Sequence, residues 1–201
     1  MDERLNIARS ELILGGQKSG KSRRAELLAR DWLAQSPHHH ATLIATAQPW
    51  DDEMRARIER HQVDRAQRVP GLRTLEEPLQ LAQAIDQHSR PDTLLVVDCL
   101  TLWLTNWLMP MEPEIERGLE PNRPLAHTPI ALVAMLLDSI AQASGPVVLV
   151  GNEIGMGVIP MGAEVRAFVD TLGRLNQEVA RVCQRVTLMA SGLPLTLKDA
   201  P

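Results

Sequence analysis

Residues 15–22 read Gly-Gly-Gln-Lys-Ser-Gly-Lys-Ser, and no other stretch of this 201-residue chain limits the fold as strongly. A Gly-x4-Gly-Lys-Ser segment works only where a short apolar strand delivers the chain to it and a helix carries the chain away. Both are present. Glu11-Leu12-Ile13-Leu14 reads as the strand, and a helix is predicted from Lys21 to about Ala34, with Leu27, Leu28 and Leu33 on its buried side. Glycines let the loop backbone curl so that successive N–H groups point at an anion, and the helix N-terminus adds its positive dipole end. Such a loop takes a nucleoside triphosphate. Gly15, Gly16, Gln17, Lys18, Ser19 and Gly20 would cradle the phosphates. Lys21 would reach the β and γ phosphates as a point charge, and the Ser22 hydroxyl would ligate Mg²⁺.

Beyond the loop, short apolar runs alternate with helical patterns, which predicts an α/β domain with a largely parallel sheet. Ala41–Ala45 reads as a second strand ending at Thr46-Ala47-Gln48, where ligands bind in open α/β sheets. Asp51 to about Gln67 reads as a very polar helix whose apolar positions are Met54, Ile58 and Val63, a stripe narrow enough to hold it by one edge. Glu76 and Glu77, before Pro78, read as favourable charge at a helix start. Leu94-Leu95-Val96-Val97-Asp98 and Val147–Val150 are apolar without alternation, as in strands covered on both faces. Asp98 ends its strand where a Walker B carboxylate would stand beside the magnesium. A helical period runs from Gly162 to Gln184, followed by a late strand, Arg185–Ala190. The Pro-rich, charged segment 110–129 is expected to be a surface excursion. We expect one domain over residues 1–201, with residues 1–10 a loose N-terminal extension.

Composition excludes several classes. The chain has four Trp, one Phe and no Tyr, so it lacks the aromatic faces on which single-stranded nucleic acid stacks. Its formal charge of −4 offers no basic field to a phosphate backbone, and no nucleic-acid partner is expected. Two cysteines, Cys99 and Cys183, are too few for a disulfide scaffold and read as small buried hydrophobes. No apolar stretch is long enough to span a bilayer and Met1-Asp2-Glu3-Arg4 leads into no signal-peptide core, so a cytoplasmic protein is expected. His38, His39 and His40 have no carboxylate or Cys at a metal-ligand spacing and read as a solvated turn. His88 and His127 lie in polar or Pro-rich stretches and carry no role.

The loop followed by Arg23-Arg24-Ala25-Glu26 resembles that of the bifunctional adenosylcobinamide kinase/adenosylcobinamide-phosphate guanylyltransferase family of cobalamin biosynthesis. The resemblance extends through Ile44–Gln48, Asp52-Glu53-Met54, Arg57-Ile58-x-x-His61, Thr74–Pro78, Asp98–Thr101 and Thr105-Asn106. It is most distinctive in Gly151-Asn152-Glu153-Ile154-Gly155-Met156-Gly157-Val158-Ile159-Pro160. Arg166-x-Phe168-x-Asp170-x-x-Gly173-Arg174-Leu175-Asn176-Gln177 and Ser191–Pro194 complete it. It implies a RecA-related P-loop fold that assembles as a homotrimer. It also implies two reactions: phosphorylation of adenosylcobinamide by ATP or GTP, and GMP transfer from GTP onto that phosphate through a covalent guanylyl-histidine.

By that resemblance His61 is the nucleophile and Lys21 the other catalytic group. Thr46, Ala47, Gln48, Gln62, Val63, Asp64, Glu76 and Asp98 join the loop as nucleotide contacts, and Ser22 with Asp98 holds the metal. Some relatives carry two adjacent histidines in this block, and here Arg60 stands in the first position. A neutral imidazole is a competent nucleophile at physiological pH, which suits the assignment chemically. Two other readings stand beside it: a guanylyltransferase without kinase activity, and a nucleotide-binding regulator without transfer chemistry. Asn152 and Glu153 follow a strand, and Gly155 and Gly157 permit a tight loop near the phosphates or corrinoid, or simply a turn.

Overall fold

The computed structural model describes residues 5–49, 52–109, 129–157 and 160–200, the side chains of Met54, Arg57, His61 and Pro129 excepted. Most of the segment expected to be a surface excursion, residues 110–128, lies outside this range. The elements run β1 (Ser10–Gly15), α1 (Lys21–Leu33), β2 (His40–Ala45), α2 (Asp52–Arg68), β3 (Leu72–Glu76), α3 (Leu81–His88) and β4 (Thr93–Asp98). They continue with α4 (Leu100–Leu108), α5 (Pro129–Gln142), β5 (Val147–Val150), α6 (Ala163–Val182), β6 (Arg185–Ala190) and β7 (Leu193–Asp199). The strands form one sheet in the order β3-β2-β4-β5-β1-β6-β7. Every pairing is parallel except β6 with β7.

Parallel strands need crossovers, and the crossover helices cover both sheet faces. Side-chain alternation along β1 divides the core accordingly. Leu12 and Leu14 join one apolar cluster with Leu81, Trp103, Leu136, Leu172, Leu175 and Val179, contributed by α3, α4, α5 and α6. Ile13 joins the other, with Ala25, Leu28 and Ala29 of α1 against Leu43, Val96, Val148 and Val150. Leu27, expected in that interface, is only half-buried. Two alanines on the packed face bring α1 close to the sheet, and this fixes where the phosphate loop must turn.

One carboxylate sits deep in this assembly. Glu11 is 1% exposed. Its Oε1 accepts hydrogen bonds from Arg24 Nε of α1 at 3.0 Å and from Thr187 Oγ1 of β6 at 2.7 Å. Arg185 lies 3.6 Å from Oε2 and also holds Asp199 of β7. The carboxylate thereby joins β1, β6, β7 and α1 just below the loop. Residues 5–10 are held as well, in contrast to the loose extension expected. Leu5 N–H donates to Asp31, Arg9 N–H donates to Gln184, and Ala8 is buried.

The polar helix α2 meets the body differently from the expectation. Val63 is 57% exposed, whereas Arg65 and the following Val69 are buried. Contact is made through Arg68, 3.3 Å from the buried Glu26 of α1. Burial raises the Glu26 carboxyl above its usual range, against the pull of Arg68, Arg65 and Arg23. An ion pair thus adds to the expected stripe, of which Ile58 is half-buried, Val63 is exposed and the Met54 side chain lies outside the described residues.

Both cysteines are free and buried. Burial pushes the Cys99 thiol up to about 11 and the Cys183 thiol up to about 12, so neither supplies thiolate near neutrality.

Two expectations follow. Glu11→Ala strands Arg24 and Arg185 and should lower stability by about 3 kcal/mol, read from urea denaturation; a loss under about 1 kcal/mol would show the pairing to be incidental. At pH 8 the folded protein should resist iodoacetamide and take two carbamidomethyl groups once unfolded in guanidinium, as scored by intact mass. Rapid native alkylation would contradict the burial.

Candidate nucleotide site

The loop between β1 and α1 can be made only by this kind of sequence. A Cβ on Gly15 would lie 2.5 Å from Met189 O and 2.6 Å from Ser19 Oγ, so no larger residue fits. Lys18 (φ 56°) and Gly20 (φ 101°) take left-handed conformations that reverse the backbone twice within three residues. Such alternation turns consecutive N–H groups toward one point. Gly20 caps α1 without a side-chain hydrogen bond, leaving the donors of the first turn free for an anion. Ser19 Oγ is buried and has no hydrogen-bond partner among the described residues. A hydroxyl so placed fits a phosphate oxygen.

Two neighbours hold the loop from either side. Glu153 N–H, just beyond β5, donates to Gly15 O at 3.1 Å. Gly192 N–H donates to Ser19 O at 3.0 Å from the turn joining β6 to β7. That turn is a two-residue hairpin, Ser191-Gly192, with φ of 53° and 80°. Positive φ at both positions matches the twist of the strands it joins.

Lys21 is 8% exposed and donates through Nζ to Gly16 O at 2.5 Å. Burial lowers its pKa below the ordinary lysine range, opposed by Cys99 and Asp98. Asp98 therefore shares the neighbourhood of Lys21, and it sits level with Val150 of β5 and Ala45 of β2 in the sheet. A hydroxyl from Ser22 and a carboxylate from Asp98 are hard oxygen donors suited to Mg²⁺, which takes its remaining ligands from phosphates and water. Among the described residues no group of three or more His, Cys, Asp or Glu could hold an ion by itself.

Thr46 is fully buried and its hydroxyl is already engaged. It donates to Cys99 O at 2.8 Å and accepts from Cys99 N at 2.9 Å. Ala47 and Gln48 beside it are half-exposed. Asn106 of α4, to which the sequence pattern gives no role, donates through Nδ2 to Thr46 O at 2.8 Å and to Pro78 O at 3.0 Å. Trp103 and Trp107 both donate to Leu79 O. These contacts tie the ends of β2, β3 and β4 together. Besides its place in the Thr105-Asn106 block, the signal for Asn106 in the sequence is an amide inside a largely apolar helix.

Glu76 ends β3 and does not open a helix; it is Glu77 that turns the chain, its Oε1 accepting from Leu79 N and Gln80 N. Glu76 Oε1 accepts from Gln62 Nε2 of α2 at 3.1 Å, so two expected nucleotide contacts meet. Val63 and Asp64 are exposed on the same helix, and the His61 side chain lies outside the described residues. This second cluster is not at the phosphate loop. β3 stands four places from β1 in the sheet, roughly 19 Å at normal strand spacing.

The histidine run forms a turn. His39 stacks on Trp32 at 3.8 Å and bonds its carbonyl through Nδ1, while His38 and His40 are exposed.

Comparison with known proteins agrees with this architecture. The sequence pattern of the family described as "Cobinamide kinase / cobinamide phosphate guanyltransferase" matches residues 11–197. The chain is 44% identical to the bifunctional adenosylcobalamin biosynthesis protein CobP of Pseudomonas aeruginosa, over 95% of this chain and 98% of that protein. It is 33% identical to the bifunctional adenosylcobalamin biosynthesis protein CobU of Escherichia coli K12, over 93% and 98%. In fold it is similar to the flagellar accessory protein FlaH of Methanocaldococcus jannaschii, with a TM-score of 0.51 at 11% identity, covering 98% of this chain and 80% of that one. On the family pattern and these full-length relatives, the chain belongs to the cobinamide kinase/cobinamide phosphate guanyltransferase family.

Proposed function

We propose that this chain phosphorylates the hydroxyl of adenosylcobinamide with ATP or GTP, then transfers GMP from GTP onto that phosphate through a guanylyl-histidine at His61. The observation that carries the proposal is the braced loop with Lys21 and Asp98 beside it, in a chain with this family membership. Loop amides from Gly15 to Gly20 bind the phosphates, and Lys21 balances charge on the β and γ groups. Ser22 and Asp98 would hold Mg²⁺, which neutralises phosphate charge when bound. Ala47, Gln48, Gln62, Val63, Asp64 and Glu76 contact the rest of the nucleotide, and Thr46 shapes the turn that presents them.

In the second reaction a neutral imidazole nitrogen of His61 bonds to the α-phosphorus while the α–β bridging bond breaks, releasing pyrophosphate. A phosphate oxygen of adenosylcobinamide phosphate then bonds to the same phosphorus, and the P–N bond breaks. The product is adenosylcobinamide-GDP, and His61 is regenerated.

We also propose a cytoplasmic homotrimer. Among the described residues no helix is long and apolar enough to cross a membrane. Support for assembly comes from β7, an edge strand carrying Leu193, Leu195 and Leu197 at 71%, 56% and 56% exposure. Three leucines on one face of a free edge are a liability in a monomer.

Incubation with α-labelled GTP and Mg²⁺ should leave acid-labile, base-stable label on the protein and none on a His61→Ala variant. Label persisting in that variant would remove His61 from the mechanism. Light scattering should give three times the 22.3 kDa chain mass. Leu195→Glu combined with Leu197→Glu should shift it to the monomer; an unchanged mass would move the interface elsewhere.

A further inference from the structure

The loop after β5 carries a carboxylate, Glu153, with no part in either proposed reaction. β5 lies between β4 and β1, with Val150 level with Asp98 on one side and Ile13 on the other. Beyond it, Gly151 N–H donates to Ile13 O at 3.0 Å and Glu153 N–H donates to Gly15 O at 3.1 Å. The carbonyl of the next residue, Gly16, is the one that takes the Lys21 ammonium. Glu153 is therefore fastened to the mouth of the phosphate loop, one residue from the carbonyl that holds Lys21. The lysine of such a loop reaches the β and γ phosphates, so Glu153 stands at the γ-phosphate end of the site.

Its side chain is half-buried. Asn176 of α6, 3% exposed, points its Nδ2 at Asn152 O at 3.1 Å and at Glu153 Oε2 at 3.4 Å. Asn176 Oδ1 is buried and has no partner among the described residues, so it can still accept a hydrogen bond. No cation pairs with Glu153 among the described residues. A carboxylate beside a triphosphate meets like charge and is disfavoured there unless it has work to do. A turn alone would be served as well by glutamine. Glu153 and Asn176 also line a cavity of about 310 Å³ that opens to solvent, with Leu14, Val186, Leu197 and Lys198 among its other walls. That volume is about ten waters' worth, enough for a flexible alcohol arm.

We infer that Glu153 is the base for phosphoryl transfer, taking the proton of an acceptor alcohol whose arm enters this cavity, with Asn176 positioning the carboxylate. The inference rests on the kinase half of the proposed function. In the step, the alcohol O–H bond breaks and its proton passes to a Glu153 carboxylate oxygen. The alcohol oxygen bonds to the γ-phosphorus. The bond from that phosphorus to the β–γ bridging oxygen breaks, and the nucleoside diphosphate leaves with the electron pair.

The test measures phosphorylation of adenosylcobinamide and histidine guanylylation by GTP separately, in the full chain. Glu153→Gln should lower kcat for phosphorylation by about 100- to 1,000-fold with KM for the nucleotide within about threefold, and should still form the guanylyl adduct. Glu153→Asp, which keeps a carboxylate, should recover part of the kcat. If Glu153→Gln phosphorylates within about threefold of wild type, the inference is overturned alone. Equal loss of phosphorylation and adduct, or no advantage of Asp over Gln, would assign Glu153 a structural part and overturn it too. A wild-type protein that forms the adduct but never phosphorylates would overturn the kinase reading and this inference with it.

Discussion

Two backbone hydrogen bonds support the site: Glu153 N–H to Gly15 O on one side of the phosphate loop and Gly192 N–H to Ser19 O on the other. A loop of glycines has high conformational entropy, and holding it open for a ligand would ordinarily be costly. Here that ordering happens during folding, because β5 and the β6–β7 hairpin reach the loop only when the sheet is complete. The amides are then aimed before any phosphate arrives, which is the condition under which fixed dipoles stabilise charge most effectively. Glu11 reinforces this from below by joining α1 to β6, so the loop's entry and exit move as one body.

On the other side of Asp98, α4 does the corresponding work with side chains. Thr46 and Cys99 close a reciprocal pair, and Asn106, Trp103 and Trp107 take carbonyls at positions 46, 78 and 79. Each bond contributes only about 1 kcal/mol net, but removing a donor leaves a carbonyl unpaired at a larger cost. Asn152 extends the chain of contacts, bonding Thr101 of α4 through both its backbone and side-chain N–H groups. The strand ends from β3 to β1 are thus linked by polar contacts confined to the sheet's C-terminal edge, where ligands of parallel sheets bind.

How much of the fold is legible in the sequence depends on how local each cause is. β1, β2, β4, β5 and β6 can be read because strands covered on both faces need unbroken apolar runs, and α1 because the loop dictates it. β3 is hidden because Leu72-Arg73-Thr74-Leu75-Glu76 lies at an edge and mixes polar residues into its run. β7 is hidden because Pro194 interrupts it and its leucines face outward. α4 and α5 are apolar enough that their runs carry no clear period. At the site, the loop and Asp98 are legible as a pattern. The brace by Asn106 and the placement of Glu153 are not, since both depend on partners far along the chain: Thr46 and Pro78 for Asn106, Gly15 and Asn176 for Glu153.

The sheet order also bears on how one nucleotide could serve two chemistries. On the proposed reading, the nucleophile for the γ-phosphorus approaches past Glu153 and α6, from the β5–β1 side. The imidazole proposed for the α-phosphorus, that of His61, would come from α2, which follows β2 and meets β3 through the Gln62–Glu76 contact. The two approaches lie on opposite sides of Asp98 in the sheet. An alcohol arm and a histidine would then not compete for the same space around the triphosphate. Nor would the proton acceptor of one reaction touch the nucleophile of the other. On that reading, separation along the strand order would let a single phosphate loop present both phosphorus atoms, and selection between the reactions would fall to whichever nucleophile is in place.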